Sequence, residues 1–175
     1  MRFFVYGIVA LVALQRLVEL WYAQRNTRAL LARGATESGR GHYALIVLLH
    51  LAWLGSIALF APRPATIAWP WLLFFIGLQL ARVWIIATLG PYWTTRIITL
   101  KDAPLVRRGP YRFMRHPNYL VVALEIAALP LAFGEIWVAI AFSILNGGVL
   151  ALRIRQEETA LAPRRSTPLN GAQQI

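Results

Sequence analysis

LVRRGPYRFMRHPNY, at residues 105–119, is a basic, turn-rich stretch inside an otherwise apolar sequence. Its prolines follow Gly109 and His116, and each interrupts a helix because proline lacks an amide donor and restricts the residue before it. The stretch therefore predicts turns that present four arginines, one histidine and two tyrosines beside the start of an apolar helix. Its composition is equally consistent with a positively charged cytoplasmic loop between membrane helices.

The sequence on both sides of this stretch is typical of a membrane protein. Of its 175 residues, 58% are hydrophobic and 14% are charged, whereas a soluble domain has about 25% charged residues. The absence of cysteine excludes disulfides, thiolate metal sites and thiol catalysis, and no metal site is predicted. The net charge of +11 comes from arginines in loops between apolar segments, which favours membrane lipid head groups over nucleic acid as partners.

Five apolar segments predict an all-α integral membrane protein with about five transmembrane helices. They cover residues 3–23, 43–61, 67–89, 119–133 and 136–152. The last two are short for a span and are expected to form a helical hairpin, either extended into flanking polar residues or lying in thinned membrane. Residues 1–161 are interpreted as one domain, with the motif region at 94–161, and residues 162–175 as a disordered tail.

Polar residues in the first third of the chain predict contacts between elements. Arg16 and Glu19 lie three apart on one helix face, so they are predicted to pair. Residues 24–42 are interpreted as a cytoplasmic loop whose first half could continue helix 1, and Asn26 and Arg28 could approach the later basic loop.

Basic residues between the apolar segments predict the orientation. The connections after the first and third segments and the C-terminal stretch carry four, six and four of them, whereas the other side carries Arg2 and Arg63. By the positive-inside rule, the N-terminus is expected outside, and the C-terminus and the basic stretch in the cytoplasm.

Three linked motifs resemble the isoprenylcysteine carboxyl methyltransferase (ICMT) family, in its small prokaryotic branch. They are Leu105-Val106-x-x-Gly109-x-Tyr111, then Arg115-His116-Pro117-Asn118-Tyr119, and Glu157-Glu158 followed by Leu161. The resemblance implies an O-methyltransferase of the bacterial inner membrane with a cytoplasmic cofactor-binding loop. Its cofactor would be S-adenosylmethionine, and its acceptor the carboxylate or the enol or phenol oxygen of a lipophilic molecule similar to isoprenylcysteine, alkylpyrones or alkylresorcinols.

The resemblance also implies which residues contact the ligands. The implied cofactor contacts are Ala103, Pro104, Leu105, Val106, Tyr111, His116, Pro117, Asn118, Tyr119 and Glu157. Eukaryotic members usually have histidine where Ala103 stands, so a contact there would use backbone only. Arg153 matches the family's acceptor position and lies on the same helix face as Glu157. An ionised acceptor needs no base, whereas a phenol would need one, for which Glu125 and His116 are catalytic candidates.

Structural interpretations of the same residues remain open. His116 and Pro117 could simply cap the helix that starts at Asn118. Glu157 and Glu158 could be a solvated helix end that pairs with Arg153 and Arg155, and Glu125 could form a hydrogen bond between helices. Two alternative functions also remain: a phospholipid N-methyltransferase, which would need an acidic anchor in place of Arg153, and a non-catalytic membrane protein that binds anionic lipids. Binding of S-adenosylmethionine separates the last of these from both enzymes.

Overall fold

The structure is a computed structural model that describes residues 2–38, 41–62, 66–100 and 106–165. Five helices make up most of it, which confirms the predicted all-α membrane class. They are α1 (Arg2–Ala32), α2 (Gly41–Phe60), α3 (Trp69–Leu89), α4 (Pro117–Ala132) and α5 (Ile136–Arg165). Two short strands, β1 (Thr36–Ser38) and β2 (Ile97–Thr99), were not predicted from the sequence.

Four of the described helices are long and apolar enough to cross a membrane. The apolar spans lie in α1, α2, α3 and α5, whereas α4 has 16 residues and is shorter. At 1.5 Å per residue, α4 covers about 24 Å. The sequence left open whether the last two segments extend into flanking polar residues or lie in thinned membrane. Helix α5, with its 30 residues, extends into polar residues, whereas α4 does not.

The other differences from the predicted segments concern helix ends. Helix α1 continues nine residues beyond its predicted end at residue 23, and Gly34, with φ +87°, follows it. The left-handed conformation is one that glycine adopts without steric cost. The predicted hairpin is confirmed: α4 turns into α5 at Gly134, with φ +77°, and the amide of Glu135 donates to the Pro130 carbonyl at 2.9 Å.

The two strands pair antiparallel, with Thr36 opposite Thr99 and Ser38 opposite Ile97. They join the connection after α1 to the connection after α3. An ion pair stabilises the same junction, because Arg96 Nη1 lies 3.0 Å from Glu37 Oε1. The ends of α1 and α3 are thereby linked on one side of the molecule.

A buried ion-pair network, formed by Arg16, Glu19, Arg82 and Glu125, connects α1, α3 and α4. The predicted pair is confirmed, since Arg16 Nη1 lies 2.9 Å from Glu19 Oε2. Arg82 Nε donates to both Glu19 oxygens at 2.8 and 2.9 Å. Glu125 Oε2 accepts from Arg16 and Arg82 at 2.7 and 3.1 Å. Two carboxylates and two guanidinium groups thus neutralise one another within the apolar bundle.

Candidate functional site

A cavity of about 750 Å³ lies where the ends of α1 and α3 meet the basic stretch, the start of α4 and the second half of α5. This volume is within the range of ligand-binding pockets, roughly 300–1,000 Å³. Its wall is formed by Leu30, Leu89, Tyr92, Trp93, Thr94, Arg96, Ile97, Ile98, Leu100, Val106, Arg107, Tyr111, Arg112, Arg115, His116, Asn118, Tyr119, Arg153 and Glu157.

A close backbone approach fixes the basic stretch against α3. Gly109 has φ +56°, and a Cβ atom there would lie 2.7 Å from Thr88 Oγ1 and 3.4 Å from Trp84 Nε1. Both the dihedral angle and the missing side chain therefore require glycine. The 3₁₀ turn Gly109–Arg112 begins at this contact and places Tyr111 in the cavity wall.

Helix α4 begins where the stretch ends. His116 precedes the helix with φ −127° and ψ 58°, and Pro117 occupies its first turn, where a missing amide donor costs nothing. The His116 side chain makes no capping hydrogen bond, and its carbonyl accepts from the Tyr119 amide at 3.1 Å. The imidazole is therefore not used by the helix start and lines the cavity.

A polar cluster of Tyr119, Arg153 and Glu157 joins α4 to α5 in the cavity wall. The Tyr119 hydroxyl donates to Glu157 Oε2 and accepts from Arg153 Nε at 2.9 Å. Arg153 Nη2 also donates to the Thr95 carbonyl at 2.6 Å. Arg153 and Glu157 thus face the same way, as predicted, and the phenol of Tyr119 connects them.

His116 extends this polar cluster on the α4 side. Its ring stacks on Tyr119 with centroids 5.3 Å apart and planes 18° apart. Its Nε2 lies 2.7 Å from Glu158 Oε1, and its Nδ1 lies 3.9 Å from Glu157 Oε1. Both carboxylates of the Glu-Glu pair therefore contact this histidine, and they fix the orientation of its ring.

The electrostatics of the cavity are dominated by arginine. Of the described residues that line it, five are arginines and one, Glu157, is a carboxylate. Tyr111 also lies in this wall, where burial, and secondarily the Glu157 carboxylate, raise the pKa of its phenol. Tyr111 thus remains neutral near pH 7 and presents an aromatic face with a hydroxyl donor.

The structure brings together most of the residues predicted for the site. Val106, Tyr111, His116, Asn118, Tyr119, Arg153 and Glu157 all line the cavity. Pro117 is buried at the start of α4. Ala103, Pro104 and Leu105 lie outside the described residues. Glu125 does not line the cavity and belongs to the ion-pair network.

Several residues of the site were not predicted from the sequence. Thr95 supplies a backbone carbonyl to Arg153. A backbone acceptor cannot be predicted from the pattern of side chains in a sequence. Arg96 and Trp93 line the cavity because β2 returns beside α5. Glu158 could have been found, since it is the second member of the Glu-Glu motif and contacts His116.

Comparisons with known proteins found a matching family and relatives that cover most of the chain. The model of the isoprenylcysteine carboxyl methyltransferase (ICMT) family matches residues 71–163. The chain is 35% identical over 161 residues to the uncharacterized protein YpbQ of Bacillus subtilis, covering 88% of this chain and 94% of that protein. It is 26% identical over 155 residues to an uncharacterized protein of Haemophilus influenzae, covering 84% and 88%. No solved structure matches.

Proposed function

The chain belongs to the isoprenylcysteine carboxyl methyltransferase family, and from this membership we propose that it methylates an oxygen of a lipophilic acceptor with S-adenosylmethionine. The family implies a membrane methyltransferase activity, and four helices of the described residues are suited to a membrane. The cofactor, the transfer to oxygen and the class of acceptor are the parts that we propose.

The donor set of the cavity fits S-adenosylmethionine. This molecule supplies an electrophilic methyl group on a sulfonium centre and carries an ammonium group, a carboxylate, a ribose and an adenine. Glu157 offers a carboxylate to the ammonium group or the ribose hydroxyls, and its side chain is 27% exposed, so a ligand can reach it. Tyr111 offers an aromatic face, to which a cation is attracted, and the arginines offer donors for the carboxylate.

The observation that carries the choice of acceptor is the excess of arginine over carboxylate at the described wall. Five arginines and Glu157 line it, and Glu37 and Glu158 lie beside two of those arginines, Arg96 and Arg115, which leaves a positive balance. A cationic amine would be repelled by this wall, whereas a carboxylate or an enolate would be attracted. The charge balance therefore favours transfer to an anionic oxygen over the phospholipid N-methyltransferase alternative. The apolar part of the wall, which includes Leu30, Leu89 and Ile97, suits the hydrocarbon part of the acceptor.

Arg153 is proposed to bind the acceptor oxygen. Its guanidinium is held by the Thr95 carbonyl and the Tyr119 hydroxyl, so its position is fixed before the acceptor arrives. An acceptor that arrives ionised requires no base. For a phenol, His116 is the proposed base, because it lines the cavity, whereas both guanidinium groups of the ion-pair network bind Glu125.

The orientation is proposed from the sequence, with the cavity in the cytoplasm of a bacterial cell. The cavity is lined by the end of α1, the end of α3 and the second half of α5. These are the connections that carry most of the basic residues, and basic loops are cytoplasmic. The cavity therefore faces the compartment in which S-adenosylmethionine is made.

The first test is binding of S-adenosylmethionine to the detergent-solubilised protein by calorimetry. Glu157→Gln and His116→Ala are expected to weaken binding at least tenfold, which is about 1.4 kcal/mol. Thr159→Ala is the matched control, because Thr159 is exposed on the same helix and donates only to the Arg155 carbonyl among the described residues. A folded parent that binds no S-adenosylmethionine would contradict the proposal and leave the non-catalytic lipid-binding alternative.

The second test separates the acceptors. Methyl-labelled S-adenosylmethionine is supplied with an alkylpyrone, an alkylresorcinol, a prenylcysteine or phosphatidylethanolamine, and the product is identified by mass spectrometry. We expect an O-methylated product. We also expect Arg153→Gln to raise the KM for the acceptor by a factor at least tenfold larger than the factor by which it raises the Kd of the cofactor. N-methylation of phosphatidylethanolamine would support the alternative enzyme instead.

A further inference from the structure

Four exposed residues, 112–115, form a tetrad of sequence Arg-Phe-Met-Arg that begins at the last residue of the 3₁₀ turn and ends just before His116. Phe113 is 74% exposed and Met114 is 42% exposed, while the Arg115 side chain is 75% exposed. Neither apolar side chain lies on a membrane-spanning helix. Exposure of two large apolar side chains to water is unfavourable, and this indicates that they contact a non-aqueous surrounding instead.

The depth of this tetrad follows from its contact with α3. Gly109 would place a Cβ atom 3.1 Å from Thr88 Cγ2 and 3.4 Å from Trp84 Nε1, both in the last two turns of that helix. The apolar span of α3 lies within Trp69–Tyr92, so the turn packs at one end of this range, where a membrane interface is expected. Trp84 is 53% exposed, as is typical of tryptophan at the interface.

The charged residues of the segment that contains the tetrad have one sign. Residues 106–117 contain four arginines and no acidic residue. Arg115 lies 4.0 Å from Glu158, and the Arg112 guanidinium lies 5.8 Å from the centre of the Phe113 ring. Arginine binds phosphate oxygens in a forked geometry, and clustered arginines beside a bilayer attract anionic lipids.

We propose that residues 112–115 are an interfacial anchor for anionic phospholipid. Phe113 and Met114 insert among the acyl chains, and the arginines at positions 107, 108 and 112 bind the phosphate head groups. The tetrad directly precedes His116 in the cavity wall, so the bound lipids lie at the edge of the cavity. This inference does not depend on the methyl-transfer reaction.

The test uses the full chain, which has no native cysteine, so Phe113→Cys can be labelled alone with an environment-sensitive fluorophore. The labelled protein is reconstituted in phosphatidylcholine vesicles that contain equal mole fractions of brominated phosphatidylcholine or brominated phosphatidylglycerol. The expected result is quenching by both lipids, about twofold stronger for phosphatidylglycerol, with the difference reduced in high salt. Met114→Cys provides a second labelled position.

Two variants make the test specific. Trp137→Cys places the label at the opposite end of the bundle, at a side chain that is 82% exposed and far in sequence from the four arginines, and equal quenching by the two lipids is expected there. Arg108→Gln/Arg112→Gln, in the Phe113→Cys background, is expected to abolish the preference. Absence of quenching at positions 113 and 114, or quenching without preference for phosphatidylglycerol, would overturn the proposal.

Discussion

Replacement of Glu125 by glutamine is expected to destabilise the helix bundle by about 3 kcal/mol. The Glu125 side chain is 2% exposed and accepts from Arg16 at 2.7 Å and from Arg82 at 3.1 Å. Glutamine keeps the shape but removes the charge, so two guanidinium groups would share one carboxylate in apolar surroundings. Removal of one partner from a buried ion pair costs about 3–5 kcal/mol. The lower end applies because both oxygens of Glu19 still bind Arg82.

The matched control restores the charge balance without restoring the carboxylate. In Arg16→Gln/Glu125→Gln, the pair of Glu19 and Arg82 remains, and the network is again neutral. We therefore expect the double variant to recover most of the stability that the single variant loses, because the cost of the single change is an uncompensated charge and not a lost shape.

The assay is thermal unfolding in one detergent, followed by tryptophan fluorescence. For a chain of this size, 1 kcal/mol shifts the Tm by about 2–4 °C, so the single variant is expected to unfold roughly 6–12 °C below the parent. A single variant as stable as the parent, or a double variant no more stable than the single one, would refute the reasoning. A fully stable Glu125→Gln that loses methyl transfer to a phenol would favour the role of base.

Three further predictions, made with four variants, concern other parts of the structure and are tested by thermal unfolding. Gly109→Ala should cost about 1–3 kcal/mol, because φ is +56° and the new Cβ would lie 2.7 Å from Thr88 Oγ1, and Gly134→Ala, whose nearest contact is 3.9 Å, should cost less. Burial raises the pKa of Glu135 from 4.5 to about 7. The parent should therefore lose stability, by at most about 3 kcal/mol, as pH rises from about 4.5 to 7. Glu135→Gln should remove this pH dependence. Asn26→Leu should cost about 2–3 kcal/mol, because the amide donates to two carbonyls of the turn after α3 at 3.0 and 2.9 Å. A Tm equal to that of the parent would contradict the expectation for Gly109→Ala or Asn26→Leu, and an unchanged pH dependence in Glu135→Gln would contradict the expectation for Glu135.

The number of helices could be predicted because the membrane requires long apolar segments, and these are visible in composition. The ends of α1 and α5 could not, because polar residues beyond a span are compatible with either a loop or a continued helix. Here α1 ends at Ala32, two residues before Gly34 adopts φ +87°. Conversely, α4 keeps its predicted length, since Pro117 begins it and Gly134 follows it.

The site was predictable where a motif lies on one element, and not where two distant segments pair. The spacing of Arg153 and Glu157 was sufficient to place both on one face of α5. The strands β1 and β2 have three residues each and pair across about 60 residues of sequence, so no local pattern reports them. Their pairing brings the Thr95 carbonyl to Arg153, and this contact is accordingly visible only in the fold.

Two properties distinguish the charges that stabilise the bundle from those that can bind a ligand. One is burial, and the other is whether the opposite charges bind each other directly. In the ion-pair network, guanidinium and carboxylate bind each other directly, and Glu125 is almost fully buried. A ligand that displaced one partner would leave a charge unpaired in apolar surroundings. In the cavity, by contrast, Arg153 and Glu157 meet through the neutral phenol of Tyr119, and the Glu157 side chain is 27% exposed. A donor from a ligand can replace that phenol without separating an ion pair, so binding is expected at Glu157 and not at Glu125.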